Sequence, residues 1–181
     1  MNKLRLATVW LGGCSGCHMS FLDLDEWLFE LARHIDLVYS PLVDVKEYPD
    51  RVDVALVEGA VANEDNLHLI RQVRERTRLL IAFGDCAVTG NVTALRNALG
   101  NPDMFLHTIY VERADTAGQL PHAPGIVPRL LDRVYPVHKI VPVDVYLPGC
   151  PPSAQRIRAL LEQVLAGGDI HLTGREMIKF G

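Results

Sequence analysis

Cysteine is scarce here: the 181 residues hold four, Cys14, Cys17, Cys86 and Cys150. A secreted scaffold stapled by disulfides needs a much higher density, so that class is excluded. A reducing compartment and a metal or redox site fit this usage better. Excess positive charge is also missing. The net charge of −4 gives no basic face for nucleic acid. No apolar run approaches the roughly 20 residues that a membrane span needs. The N-terminus offers only Lys3 and Arg5 ahead of a short apolar run, with no twin arginine and no small-residue cleavage site. No signal peptide is therefore read, and a cytoplasmic location is expected. Internal repeats and low-complexity segments are absent.

What is present is an ordinary globular composition, 49% apolar and 22% charged. A chain of this length can bury a sizeable core without staples, and one domain, or one with a small appendage, is expected. Strand-like runs alternate with helical periodicity. Lys3–Trp10 reads as a first strand and Ser20–Arg33 as a helix, with Phe21, Leu24, Leu28 and Leu31 at helical spacing. Ser20 is its expected N-cap, and Asp23, Asp25 and Glu26 fall early in it, where negative charge suits the dipole. Ile35–Tyr39 reads as a second strand and Pro41–Asp50 as a loop. Val52–Val57 is a continuous apolar run of the kind buried on both faces of a parallel sheet.

Asn63–Arg76 predicts a helix capped by Asn63, Leu79–Phe83 a strand, and Thr93–Ala98 a short helix. Asn101–Pro142 is irregular, with a short helix expected at Ile126–Val134; so long a connection is usually functional or an interface. Val143–Leu147 reads as the last strand. Ser153–Ala166 is the clearest helix, with Ser153 as cap, Ile157, Leu160, Leu161, Val164 and Leu165 on one face, and Gly167-Gly168 at its end. This alternation implies an α/β fold, a doubly wound parallel sheet. Ligands bind such sheets beyond the carboxyl ends of the strands. Leu11–His18, Glu58–Ala62, Gly84–Gly90 and Pro148–Pro152 would all lie there, and every cysteine falls in one of these segments.

The pattern is C-x2-C-x68-C-x63-C. Four thiolates of this kind suit an iron–sulfur cluster. A zinc ribbon usually takes its ligands as two close pairs, whereas this chain has one pair and two singletons. A C-x-x-C redox pair with two structural cysteines, or four inert thiols, are the other readings of the spacing.

The ordered blocks Gly12-Gly13-Cys14-Ser15-Gly16-Cys17, Val57-Glu58-Gly59-Ala60-Val61, Phe83-Gly84-Asp85-Cys86-Ala87 and Leu147-Pro148-Gly149-Cys150-Pro151-Pro152 resemble the small subunit of nickel–iron hydrogenases. They are more distantly similar to the cluster subunit of respiratory complex I, which uses adjacent cysteines where this chain has C-x-x-C. Cys17-His18-Met19-Ser20-Phe21-Leu22-Asp23 looks most like the cytoplasmic NAD-reducing (bidirectional) group. The resemblance runs from residue 3 to about 166. It implies a flavodoxin-like iron–sulfur domain over residues 1–168; the tail over 169–181 lies beyond the resemblance and is expected to contact a partner or else to cover the sheet.

By the same resemblance, Cys14, Cys17, Cys86 and Cys150 would bind one proximal 4Fe–4S cluster. The nickel–iron site would lie on a separate large subunit, because no further cysteines remain to hold it. Electrons would pass to iron–sulfur and flavin subunits of a diaphorase, coupling H2 oxidation to NAD(P)+ reduction. Many relatives carry a glutamate where this chain has Met19, so that proton-transfer role does not carry over. Many also have a C-terminal domain with two more clusters, whereas no cysteine follows Cys150 here. Some members of the group have been suggested to carry FMN. A flavin phosphate would occupy the Leu11–Ser20 turn, where two thiolates must reach iron, so the two uses compete. A free-standing flavin or thiol redox protein is the alternative function.

Around the cysteines, Glu58 would relay protons, tune the cluster or, more ordinarily, bond backbone amides. Asp85 would brace its turn. Thr89 and Asn91 would hydrogen-bond the cluster sulfurs or cap the next helix. His18 would line a transfer route or pack. Trp27 and Phe29 read as core or partner contacts, and Arg71–Arg78 as a solvated helix end.

Overall fold

The computed structural model describes residues 3–180. Chain order is β1 (Leu4–Trp10), α1 (Gly16–Leu22), α2 (Trp27–His34), β2 (Ile35–Tyr39), β3 (Val52–Glu58), β4 (Val61–Asn63), α3 (Glu64–Arg76), β5 (Thr77–Phe83), α4 (Asp85–Thr89), α5 (Pro102–His107), β6 (Leu130–Tyr135), β7 (Val145–Leu147), α6 (Ala154–Ala166) and α7 (Arg175–Ile178). Five strands form one sheet in the order β2-β1-β3-β5-β7, and every pairing is parallel. Counted among themselves, these strands follow the 2-1-3-4-5 order of flavodoxin-like folds. The strand order reverses between β1 and β3.

Side-chain alternation builds a core on each face. Ala7, Val9, Ala55, Val57, Leu80 and Ala82 face α3, whose Ile70 and Val73 are buried against them. Leu6, Val54, Leu56, Ile81, Phe83 and Leu147 face Phe21, Leu31, Ile157, Leu160 and Leu161 of α1, α2 and α6. Both faces of β3 are covered, which is why its sequence is almost uninterrupted in apolar residues. Asn63 caps α3, accepting the Asn66 N–H at 2.8 Å. Gly167 ends α6 with φ 72°. Among the described residues no helix is long and apolar enough to cross a membrane.

Two local expectations are corrected. The Ser20–Arg33 helix is two helices, the first starting at Gly16, so Ser20 is interior and not a cap. Between them the chain turns through hydrogen bonds from Leu24 N to Phe21 O, Asp25 N to Leu22 O and Trp27 N to Leu24 O, with Asp25 at φ 49°. These three-residue turns keep Phe21, Leu24, Leu28 and Leu31 directed to one core, so the apolar spacing survives the break. The Ile126–Val134 helix is not formed. β6 runs from Leu130 and pairs antiparallel with β4. Thr93–Ala98 lies inside a longer 3-10 helix, Asn91–Leu99.

Candidate metal centre

The four cysteines arrive from three strand ends. The loop after β1 carries Cys14, and Cys17 follows in the first turn of α1. Cys86 opens α4 directly after β5, and Cys150 follows β7. Cys17 and Cys86 are buried, whereas Cys14 and Cys150 are exposed. Their convergence is visible in their electrostatics. Burial pushes the Cys17 thiol well above its ordinary range, and the charges of Glu58, Cys86, Cys14 and Cys150 add to the shift. Cys86 is also raised, chiefly by burial, with Cys14 and Cys150 contributing; hydrogen bonding from Thr93 opposes the shift. Cys17 and Cys86 thus each feel the charges of both Cys14 and Cys150. Among the described residues, no three His, Cys, Asp or Glu side chains close in tightly enough for a single metal ion.

Glycine makes this approach feasible at one place above all. Gly84 has φ 85° and ψ 162°, and a Cβ there would lie 2.2 Å from Cys17 Sγ. Only glycine occupies this backbone region without strain. The missing side chain therefore lets the Cys17 sulfur lie directly against the backbone of the Cys86 turn.

The loops are tied to one another by polar side chains. Glu58, at the end of β3, accepts the backbone N–H of His18 at 2.9 Å and of Cys17 at 3.3 Å. Its Oε2 also shares a short hydrogen bond with His18 Nδ1. Glu58 thus bonds backbone amides and fixes the start of α1. His18 is packed at 3% exposure, edge-on to Phe83, as the packed reading expects. Asp85 Oδ1 accepts the Gly149 N–H at 2.6 Å, joining the Cys86 turn to the Cys150 turn. Ser20 Oγ donates to Pro152 O at 2.6 Å, joining α1 to the same turn. Thr93 Oγ1 donates to Gly12 O at 3.0 Å.

Of the two candidates for sulfur contact, Asn91 makes one: its Nδ2 lies 3.4 Å from Cys150 Sγ and donates to it. Thr89 does not; its hydroxyl donates to Asp85 O within α4 and accepts from Asn91 N. Met19 is 58% exposed beside Cys17, and Phe29 is exposed on α2. The arginine run is only partly the solvated end expected of it. Arg74 binds Asp144 at 2.7 Å and the Thr77 carbonyl at 2.6 Å, and Arg76 binds Asp50 at 3.1 Å. These ties hold α3 to the start of β5 and its neighbours.

Sequence reasoning missed Arg156 and the linking role of Ser20. Arg156 is buried on α6; burial lowers its pKa, while Asp85 and Glu176 raise it. The apolar pattern of α6 gives no sign of this, because an arginine between core positions is ordinarily solvated.

Comparison with known proteins agrees with the geometry. Residues 14–164 match the family model described as NADH ubiquinone oxidoreductase, 20 Kd subunit. A subunit of the F420-non-reducing hydrogenase vhu of Methanococcus voltae is 41% identical over 173 residues, covering 94% of this chain and 59% of its own length. The delta chain of the NAD-reducing hydrogenase HoxS of Cupriavidus necator is 39% identical, covering 92% of this chain and 80% of its own length. The chain thus spans little more than half of the Methanococcus relative. A chain in the crystal structure of an NAD+-reducing [NiFe]-hydrogenase in the H2-reduced state superposes with a TM-score of 0.93 at 38% identity, covering 99% of this chain and 100% of its own.

Proposed function

Because the chain belongs to the NADH ubiquinone oxidoreductase 20 kDa subunit family, we propose that it is the electron-transfer small subunit of a nickel–iron hydrogenase. Cys14, Cys17, Cys86 and Cys150 would hold its single 4Fe–4S cluster. The observation that carries this reading is the meeting of the three cysteine-bearing turns at one edge of the sheet: Gly84 of the Cys86 turn lies against Cys17 Sγ, and Asp85 of the same turn binds the Gly149 N–H of the Cys150 turn. The hydrogen bond from Asn91 Nδ2 to Cys150 Sγ supports it. When bound, such a cluster supplies reversible one-electron transfer, with its potential set by burial and hydrogen bonds to sulfur.

The protein's own residues have separable tasks. Glu58, Asp85 and Ser20 fix the three ligand-bearing segments relative to one another. Asn91 stabilises negative charge on Cys150 by donating to its sulfur. The nickel–iron site would lie on a large subunit, and the electrons would continue to iron–sulfur and flavin subunits of a diaphorase, with NAD(P)+ as the final acceptor. The whole would work in the cytoplasm. Residues 1–168 would form the cluster domain and residues 169–181 a tail that meets a partner. The relatives named for NAD reduction and for a [NiFe]-hydrogenase support this assembly.

The test is to purify the chain with its partners and record an EPR spectrum after dithionite reduction, with metal analysis alongside. An iron–sulfur signal that depends on this chain's cysteines is expected. Stoichiometric flavin without iron–sulfur signal, or zinc without iron and sulfide, contradicts the proposal.

A further inference from the structure

Arg156 stands in the first turn of α6, next to Ile157 of the core. An arginine at such a position would ordinarily reach for water, yet this one is only 7% exposed. Its Nη2 donates to the carbonyls of Met177 at 2.6 Å and Lys179 at 3.2 Å. Its Nη1 packs on Gly149, so closely that a Cβ there would come within 2.9 Å of it. Asp85 and Glu176 supply the opposing charges. Arg156 Nε is buried with no hydrogen-bond partner among the described residues. The guanidinium does not deprotonate in proteins. It is therefore a fixed positive charge in the wall of the Cys150 turn, against the residue before that cysteine and facing Asp85, the residue before Cys86. The tail carbonyls hold it there.

Resting on the cluster reading above, we propose that Arg156 is the charge that sets the potential of the cluster held by Cys14, Cys17, Cys86 and Cys150, and that the tail through Met177 and Lys179 is the strap that holds its guanidinium against the Cys150 turn. Reduction adds one electron, and so one negative charge, to the cluster. A buried cation nearby favours that state, and the poorly screening interior enlarges the effect. Asp85 opposes it. Loss of the Arg156 charge removes this attraction and lowers the potential.

The experiment is an EPR-monitored potentiometric titration of the complex purified with its partners, comparing wild type with Arg156→Gln, Arg156→Lys and Asp85→Asn. Arg156→Gln is expected to lower the cluster potential by about 59 mV, a tenfold change in a one-electron equilibrium. Arg156→Lys keeps the charge and shifts it by less than half as much. Asp85→Asn keeps an oxygen for the Gly149 N–H and shifts the potential upward. Both Arg156 variants are expected to speed tryptic cleavage at Arg175 and Lys179, because the strap loses its anchor.

A wild-type potential in Arg156→Gln, or shifts of the same sign in Arg156→Gln and Asp85→Asn, overturns the charge role. Unchanged tail cleavage in both Arg156 variants overturns the strap. Should Arg156→Gln lose the cluster, the sign of Asp85→Asn and the tail cleavage of Arg156→Lys still decide. A wild-type complex with no iron–sulfur signal dependent on this chain's cysteines overturns the cluster reading itself, whereas a normal signal with unmoved potentials overturns only this inference.

Discussion

The Glu58 carboxylate and His18 meet twice in the interior: Oε2 accepts the His18 backbone N–H at 2.9 Å and shares a short hydrogen bond with the imidazole Nδ1. Both residues are almost fully buried. Glu58 ends the central strand β3, so this contact fixes the start of the cysteine-bearing helix α1 to the rigid middle of the sheet. Glu58→Ala leaves buried backbone donors unsatisfied, at about 1–3 kcal/mol each. We expect a lower melting temperature and slower cluster incorporation. Glu58→Gln retains one acceptor oxygen and loses less. Chemical denaturation and the time course of iron uptake check both. Equal stability in Glu58→Ala and wild type would show that α1 is anchored elsewhere.

Gly84→Ala tests the close approach of the Cys17 sulfur to the Cys86 turn. The added methyl would meet Cys17 Sγ at 2.2 Å, at a φ and ψ that only glycine occupies freely. The backbone strain alone costs about 1–3 kcal/mol, and the sulfur must also move. We expect a folded sheet by circular dichroism with most of the cluster iron lost. Full iron in Gly84→Ala contradicts the close approach.

The metal-free protein should show graded thiol reactivity. The thiolate is the nucleophile, and burial raises both Cys17 and Cys86, Cys17 more strongly. Cys14 and Cys150 are exposed. Iodoacetamide at pH 8 followed by mass spectrometry should modify Cys14 and Cys150 first, Cys86 next and Cys17 last. In the loaded protein all four should be protected together. Modification of Cys17 at the rate of Cys14 contradicts the burial described here.

Tyr48 gives a pH signature remote from the cysteines. Burial raises its phenol to about 12, opposed by the hydrogen bond with Thr77, with Tyr39 raising it further and Arg74 lowering it. Tyr48 Oη and Thr77 Oγ1 lie 2.6 Å apart. A raised folded-state pKa contributes stability that is complete below the unfolded value near 10 and is lost as pH climbs through 12. The loss reaches about 1.4 kcal/mol per pH unit. Tyr48→Phe should be about 1 kcal/mol less stable at pH 8 through the lost hydrogen bond, with a shallower decline between pH 10 and 12. Denaturant titrations across that range measure both. Parallel declines in the two proteins contradict the assignment.

The elements that carry the site were largely legible, because each has a one-dimensional cause. β1, β3 and β5 are doubly covered strands and read as apolar runs. α3 has its Asn63 cap, and α6 its apolar face and glycine stop. The placement of all four cysteines just past strands follows from the same reading. The parts that failed depend on tertiary partners. Nothing between Phe21 and Leu31 records the turn at Asp25, since the short turns preserve the inward spacing. β6 is a strand because β4 lies beside it, a pairing separated by some seventy residues that periodicity cannot register. Asp85 was expected to brace its turn, and it does so by reaching Gly149 on another strand end. Arg156 was missed because its meaning comes from the tail carbonyls and from Gly149, not from its neighbours in sequence.

The central claim is that Cys14, Cys17, Cys86 and Cys150 hold one cluster. The most direct measurement is iron and sulfide in the purified complex for each of the four Cys→Ala variants against wild type. We predict that every variant loses the same amount, about four irons and four sulfides per copy of this chain, together with the same EPR signal. Full iron and undiminished electron transfer in Cys86→Ala or Cys150→Ala would contradict a single four-thiolate site.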